Sequence, residues 1–141
     1  MKNRKLTLEQ QKQIALAKKG GFDISDFELK KPSLLHGKAA SVMLRKKFKV
    51  DDAQILEAVA YHVSGKSGMC NLTKALYIAD KIEVGRPWVT PEYLEKLFAM
   101  SLDRMYYTVL KNGIDYLKNN KKDFMPLPEV KELLEEYEDA K

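Results

Sequence analysis

Two histidines and one aspartate are the residues of this 141-residue chain best suited to holding a cation. His36 lies in Leu34-Leu35-His36-Gly37-Lys38, His62 in Ala60-Tyr61-His62-Val63-Ser64-Gly65, and Asp80 in Tyr77-Ile78-Ala79-Asp80-Lys81-Ile82-Glu83. A lone carboxylate beside Ile78, Ala79 and Ile82 is costly to bury unless a cation or hydrogen-bond donors meet it. A divalent metal meets that need, and imidazole plus carboxylate suits zinc, iron or manganese. The plainer reading has two core histidines satisfied by hydrogen bonds and an aspartate paired with Lys81 or Lys38. Spacing alone favours the plainer reading. No His-Glu-x-x-His element, paired-cysteine zinc motif, P-loop or Rossmann glycine pattern occurs in the sequence, so no short motif names a chemistry.

These residues must be positioned by helices. Thr7 and Gln10 form a capping-box pair, and the helix they open is expected to reach Lys19 and stop at Gly20-Gly21. A second helix, Leu34 to Phe48 after Pro32 and Ser33, carries Leu35, Ala39, Val42 and Met43 on one stripe. Asp51 is read as the cap of a third, with Ile55, Leu56, Val59 and His62 on one face. Ser64-Gly65-Lys66-Ser67-Gly68 is a loop, because two glycines so close dismantle a helix. A fourth helix, Leu72 to Ile82, is expected to turn Ala75, Leu76, Ala79 and Ile82 to the core, until Gly85-Arg86-Pro87 breaks it. Thr90-Pro91 supplies a cap and first-turn proline for helical spacing through Leu94, Leu97 and Phe98. A long helix follows from Ser101 to Leu117, and an amphipathic piece from Glu129 to Tyr137 comes after Pro126 and Pro128. No segment sustains strand-like alternation, so the expected fold is all-α, one domain over residues 1–141.

Composition agrees with a soluble globular chain: 45% hydrophobic and 32% charged is too apolar for disorder. The single cysteine, Cys70, excludes an internal disulfide and fits a reducing cytoplasm. No apolar run approaches the ~18 residues of a membrane span, and no signal-peptide pattern opens the chain. The net charge of +5 and pI near 9.1 favour anionic partners such as nucleotides, polyphosphates or RNA. RNA is the weakest of these, because no basic stripe interleaved with aromatics is present.

The three runs around His36, His62 and Asp80, extended by Lys66-Ser67-Gly68-Met69 and Gly85-Arg86 and preceded by Ile24-Ser25-Asp26-Phe27-Glu28-Leu29, resemble the YqeK-type HD-domain family. Members of that family are bacterial symmetrical bis(5'-nucleosyl)-tetraphosphatases, which split diadenosine tetraphosphate into two ADP. The resemblance implies an HD-like helical bundle and a divalent metal, iron by preference, held by His36, His62 and Asp80. It also implies that Lys38, Lys66 and Arg86 are basic groups for polyphosphate oxygens. Lys66 and Arg86 stabilise charge during the reaction, arginine through its bidentate fork. Ser64, Gly65 and Gly68 let backbone N–H groups approach phosphate, and Glu83 orients a basic residue.

The family pattern opens with a histidine and then the His-Asp pair that names it. No histidine precedes His36 here, so the resemblance implies an N-terminally incomplete bundle. Three expectations follow from that difference. The chain is a shortened form of an intact enzyme, a remnant that binds nucleotides or protein without hydrolysis, or a half completed by ligands from another chain. A bundle lacking covering helices also exposes apolar surface that favours self-association into a homo-oligomer.

Overall fold

The computed structural model of the protein describes residues 5–83, 85–120 and 131–135. Among the described residues the helices succeed one another as α1 (Leu8–Lys19), α2 (Asp26–Lys30), α3 (His36–Lys47), α4 (Ala53–Tyr61), α5 (Asn71–Lys81), α6 (Pro91–Phe98) and α7 (Leu102–Asn120). A 3-10 turn, Pro32–Leu35, leads into α3, and residues 131–135 are helical. Among the described residues there is no strand, and no described helix is long and apolar enough to cross a membrane. The all-α expectation holds.

Local chemistry sets most boundaries. The Thr7 hydroxyl accepts from the Gln10 N–H while the Gln10 side chain accepts from the Thr7 N–H, and Gly21 turns the chain away at φ 87°. α2 opens on a second capping box: the Glu28 N–H donates to Ser25 Oγ, and Glu28 Oε1 accepts from the Ser25 N–H. The cap of α4 is Asp52, one residue beyond the expected Asp51, and its Oδ1 accepts from Gln54 and Ile55. The second helix begins two residues later than expected, because Pro32 favours the tighter 3-10 turn that ends at Leu35. The piece expected at Glu129 to Tyr137 lies partly outside the described residues.

α3 packs on α4, α4 on α5 and α5 on α7, with α1 against α3 and α6 against α7. Met69, Tyr77, Ile78, Leu97, Tyr106, Val109, Leu110, Ile114 and Leu133 form the main core. Tyr77 meets Tyr106 edge to face with centroids 5.3 Å apart, an arrangement favoured by the ring quadrupoles.

Apolarity misleads on which faces are inward. On α5, Thr73, Tyr77 and Ile78 are buried, whereas Ala75, Leu76 and Ala79 are exposed and Ile82 is half-buried. The reason is that Thr73 and Tyr77 have specific partners on the inner side, Glu57 and Tyr106. The expected stripe (Ala75, Leu76 and Ala79, joined by Leu72) faces out at i, i+3, i+4 spacing. Ile55, Met43 and Phe98 are exposed as well, against expectation, while Leu35, Ala39, Val42 and Leu97 are buried as expected.

Candidate metal centre

α3 and α4 run antiparallel with their backbones in close approach, and that brings the first residue of one beside the cap of the other. Gly37 is what permits it: a Cβ there would stand 2.6 Å from the Val59 carbonyl oxygen, 3.0 Å from that of Ala60 and 3.3 Å from His62 Cε1. Four residues along, the Ser41 hydroxyl donates to the Leu56 carbonyl at 2.9 Å and fixes the register. Gly37→Ala is therefore expected to push the helices apart at backbone atoms that cannot give way. The cost is about 1–3 kcal/mol, the range for overpacking, and it is read as a lower urea midpoint at unchanged m-value.

The pairing delivers both imidazoles to one point. His36 Nδ1 lies 2.7 Å from the Ser33 carbonyl and His62 Nδ1 lies 2.7 Å from the Val59 carbonyl. A carbonyl only accepts, so each Nδ1 carries a proton, and a ring that is neutral keeps its lone pair on Nε2. The two Nε2 atoms are 3.2 Å apart, with ring centroids at 5.1 Å. Two acceptors face each other, an arrangement that needs a proton or a metal ion between them. At a metal–imidazole bond of ~2.1 Å, nitrogens 3.2 Å apart subtend about 100° at a shared ion, which suits tetrahedral or octahedral coordination. Metal-ligating histidines characteristically hand their other N–H to a carbonyl or carboxylate in this way.

Asp80 lies at the same end of the fold with its carboxylate engaged elsewhere: Oδ2 accepts from Lys81 Nζ at 2.9 Å. Burial works against its charge, but Lys81, His62 and Arg86 outweigh that and hold the carboxyl below the usual aspartate range. Among the described residues no group of three or more His, Cys, Asp or Glu side chains is placed to hold an ion. The expected trio is thus a converged pair with a charged aspartate beside it. The donor set of the pair fits a divalent ion; the carboxylate, as placed, is committed to Lys81.

The basic and loop residues divide. Arg86 donates through Nη2 to the Asp80 carbonyl at 3.2 Å, closing the C-terminus of α5, and its buried Nε has no hydrogen-bond partner among the described residues. Lys38 is a correction: its ammonium is buried and committed within the protein, donating to Glu28 Oε2 at 2.8 Å and to the Asp23 carbonyl at 3.3 Å. Gly65 is a second: it is buried, its N–H donates to the Tyr61 carbonyl at 2.8 Å, and no donor is left for a phosphate. Its conformation (φ 71°) and the Tyr106 hydroxyl, 2.9 Å from where a Cβ would sit, explain the glycine. The Ser64 hydroxyl donates to the Gly65 carbonyl at 3.1 Å. Gly68, at φ 72°, is exposed with open space around it, and Lys66 Nζ stands 4.7 Å over the Tyr61 ring.

Two further residues have positioning roles: Lys81, one of the partners that the plainer sequence reading gave Asp80, and Glu57, which carried no signal in the sequence. Lys81 ties Asp80 to α5 and reaches the His62 carbonyl at 3.5 Å. Glu57 pins the loop after His62: its Oε1 accepts from the Cys70 N–H at 2.8 Å and from the Thr73 hydroxyl at 2.7 Å. Burial raises the Glu57 pKa, yet these donors, the Cys70 thiol and Lys66 outweigh it and leave the carboxyl below its ordinary range. The stabilisation is therefore full above the ordinary glutamate pKa and is lost as pH falls through the lower, folded value. Thermal melts of Glu57→Gln are expected to change less over that acid window than those of the wild type.

No protein-family model matches the sequence. It is 30% identical over 118 residues to a symmetrical bis(5'-nucleosyl)-tetraphosphatase of Bacillus subtilis strain 168, covering 84% of this chain and 62% of that one. A protein of the same description from Staphylococcus aureus is 30% identical over 86 residues, covering 60% and 44%. The crystal structure of a predicted HD superfamily hydrolase involved in NAD metabolism from Clostridium acetobutylicum superposes with a TM-score of 0.78 at 28% identity, over 95% of this chain and 70% of that one. The chain belongs to the YqeK-type HD family. It spans 62% of the length of the Bacillus subtilis family member.

Proposed function

We propose that this HD-family protein is a metal-dependent phosphohydrolase of dinucleoside polyphosphates that converts diadenosine tetraphosphate and water into two ADP. One observation carries the reading: two imidazoles, each with Nδ1 held by a carbonyl, aim their Nε2 atoms at a shared point and stand 3.2 Å apart there. The names of the curated family members supply the substrate. Iron is the ion proposed, with His36 and His62 as ligands and Asp80 as a third once its carboxylate is released from Lys81. When bound, such an ion supplies an acidified water and positive charge for phosphoryl oxygens.

The remaining work falls to the chain's own groups. The Ser33 and Val59 carbonyls hold both imidazoles in the ligating tautomer. Arg86 meets charge developing on the phosphoryl oxygens where the bridge is cut, and Lys66 neutralises the adjoining phosphates. Ser64 and Gly68 shape the loop that lies against them. A nucleotide substrate and the free thiol of Cys70 suit the cytoplasm.

The test is hydrolysis of diadenosine tetraphosphate by the 141-residue protein loaded with Fe2+ or Mn2+, with products separated by chromatography. ADP as the sole product is expected; ATP with AMP, or no turnover, rejects the reading. A second reading, nucleotide binding without hydrolysis, is favoured by the Asp80–Lys81 pair and by the absence of a three-ligand group among the described residues. It predicts ADP binding, no turnover and melting indifferent to chelator.

A further inference from the structure

A cleft of about 210 Å³ opens between the end of α1, α3 and α4, and none of the residues lining it belongs to the His36–His62–Asp80 group. Its walls include Phe22, Val42, Leu56 and Tyr61, with Arg45 and Lys66 as its cations. Phe22 meets Tyr61 edge to face at 6.1 Å. Glu57 also lines it as a carboxylate, its Oε1 accepting from the Cys70 N–H and the Thr73 hydroxyl, so the two cations exceed the anionic charge of the lining by one. A space of 210 Å³ equals about seven waters at ~30 Å³ each, which a flat heterocycle fills and a whole dinucleotide does not. Aromatic and aliphatic walls beside two cations match one chemical class: an aromatic base joined to a phosphate.

The position adds the decisive relation. Leu56 in the cleft and His62 at the metal pair are six residues apart on α4 and its cap, or about 9 Å at the ~1.5 Å helical rise per residue. Lys66, four residues past His62, lines the cleft while belonging to the loop that leaves the pair. A ribose and a short run of phosphates bridge such an interval. We propose that this cleft is the nucleoside subsite for one half of the dinucleoside polyphosphate, with Arg45 and Lys66 on its phosphates. Seating the base there sets how many phosphates separate it from the point of cleavage, and so which bond is cut. The inference rests on the hydrolase reading for its substrate, but the binding it requires does not need the metal.

Calorimetric titration with ADP in excess chelator separates the two. The 141-residue protein is expected to bind ADP, with adenosine as a competitor. Arg45→Gln, at an exposed position, should weaken binding at least fivefold, and Leu56→Trp, which fills the cleft, should abolish it. His36→Ala should leave ADP affinity within twofold. Retained ADP binding by a protein that neither takes up metal nor hydrolyses the tetraphosphate leaves the subsite standing and removes the hydrolase. The subsite is overturned by no ADP binding in chelator, by affinity indifferent to both cleft variants, or by loss with His36→Ala. Competition by pyrophosphate alone, with adenosine inert, overturns it too, by revealing a bare anion site.

Discussion

Glu28→Ala is expected to lower the stability of the fold by about 3–5 kcal/mol, the cost of leaving a buried charge without its partner. The side chains of Lys38 and Glu28 are only 9% and 4% exposed, and their 2.8 Å contact joins α3 to α2. Glu28 works on both sides: Oε2 meets the ammonium, while Oε1 accepts from the Ser25 N–H and hydroxyl to cap α2. The substitution removes both, and Lys38 retains only the Asp23 carbonyl, at 3.3 Å, and its approach to the Phe22 and Tyr61 rings, each at 6.0 Å. Urea unfolding reads the loss as a shifted midpoint at unchanged slope. Lys38→Met in the Glu28→Leu background should recover much of it, since apolar groups of similar volume often replace a buried pair without penalty. A loss below ~1 kcal/mol for Glu28→Ala would mean that water reaches the pair.

The same pair marks where sequence reasoning turned. Lys38 follows a candidate ligand by two residues, and the family resemblance implies a phosphate contact there. Its partner is ten positions upstream on a different helix, and no local pattern connects them. The capping box at Ser25–Glu28 is a finding of the structure, and nothing local told that the other oxygen of Glu28 had a second partner. Helices were legible because caps, glycines and prolines act within a turn: Thr7, Gly21 and Thr90-Pro91 sit where their chemistry requires. Their facing was less so. α5 has apolar residues on opposite sides, so counting them does not pick the inner face. Thr73 and Tyr77 won the interior through Glu57 and Tyr106, each far off in sequence. The two imidazoles were legible as candidates because only two histidines exist. Their convergence followed from Gly37, whose missing side chain lets α3 and α4 touch.

Divalent metal at about one hundred times its dissociation constant should raise the melting temperature of the wild-type protein by about 10 °C. That corresponds to ~2.7 kcal/mol of linkage at roughly 4 °C per kcal/mol for a chain of this size. His36→Ala and His62→Ala should each abolish the shift, because one imidazole is half of the converged donor set. In chelator the expected sign differs. His36 is exposed, and its removal relieves two lone pairs facing each other at 3.2 Å, so metal-free His36→Ala should melt within ~0.5 kcal/mol of the wild type or slightly above it. Damage to the fold lowers both curves, whereas loss of a ligand lowers only the metal-loaded one. Asp80→Asn provides the finer contrast. If the carboxylate leaves Lys81 to join the ion, this variant loses most of the metal-dependent shift; if it stays paired, as placed, the shift survives and the centre is built on the two histidines. A wild-type protein whose melting ignores Fe2+, Mn2+ and Zn2+ alike would mean that a shared proton, and no metal, reconciles the two Nε2 atoms.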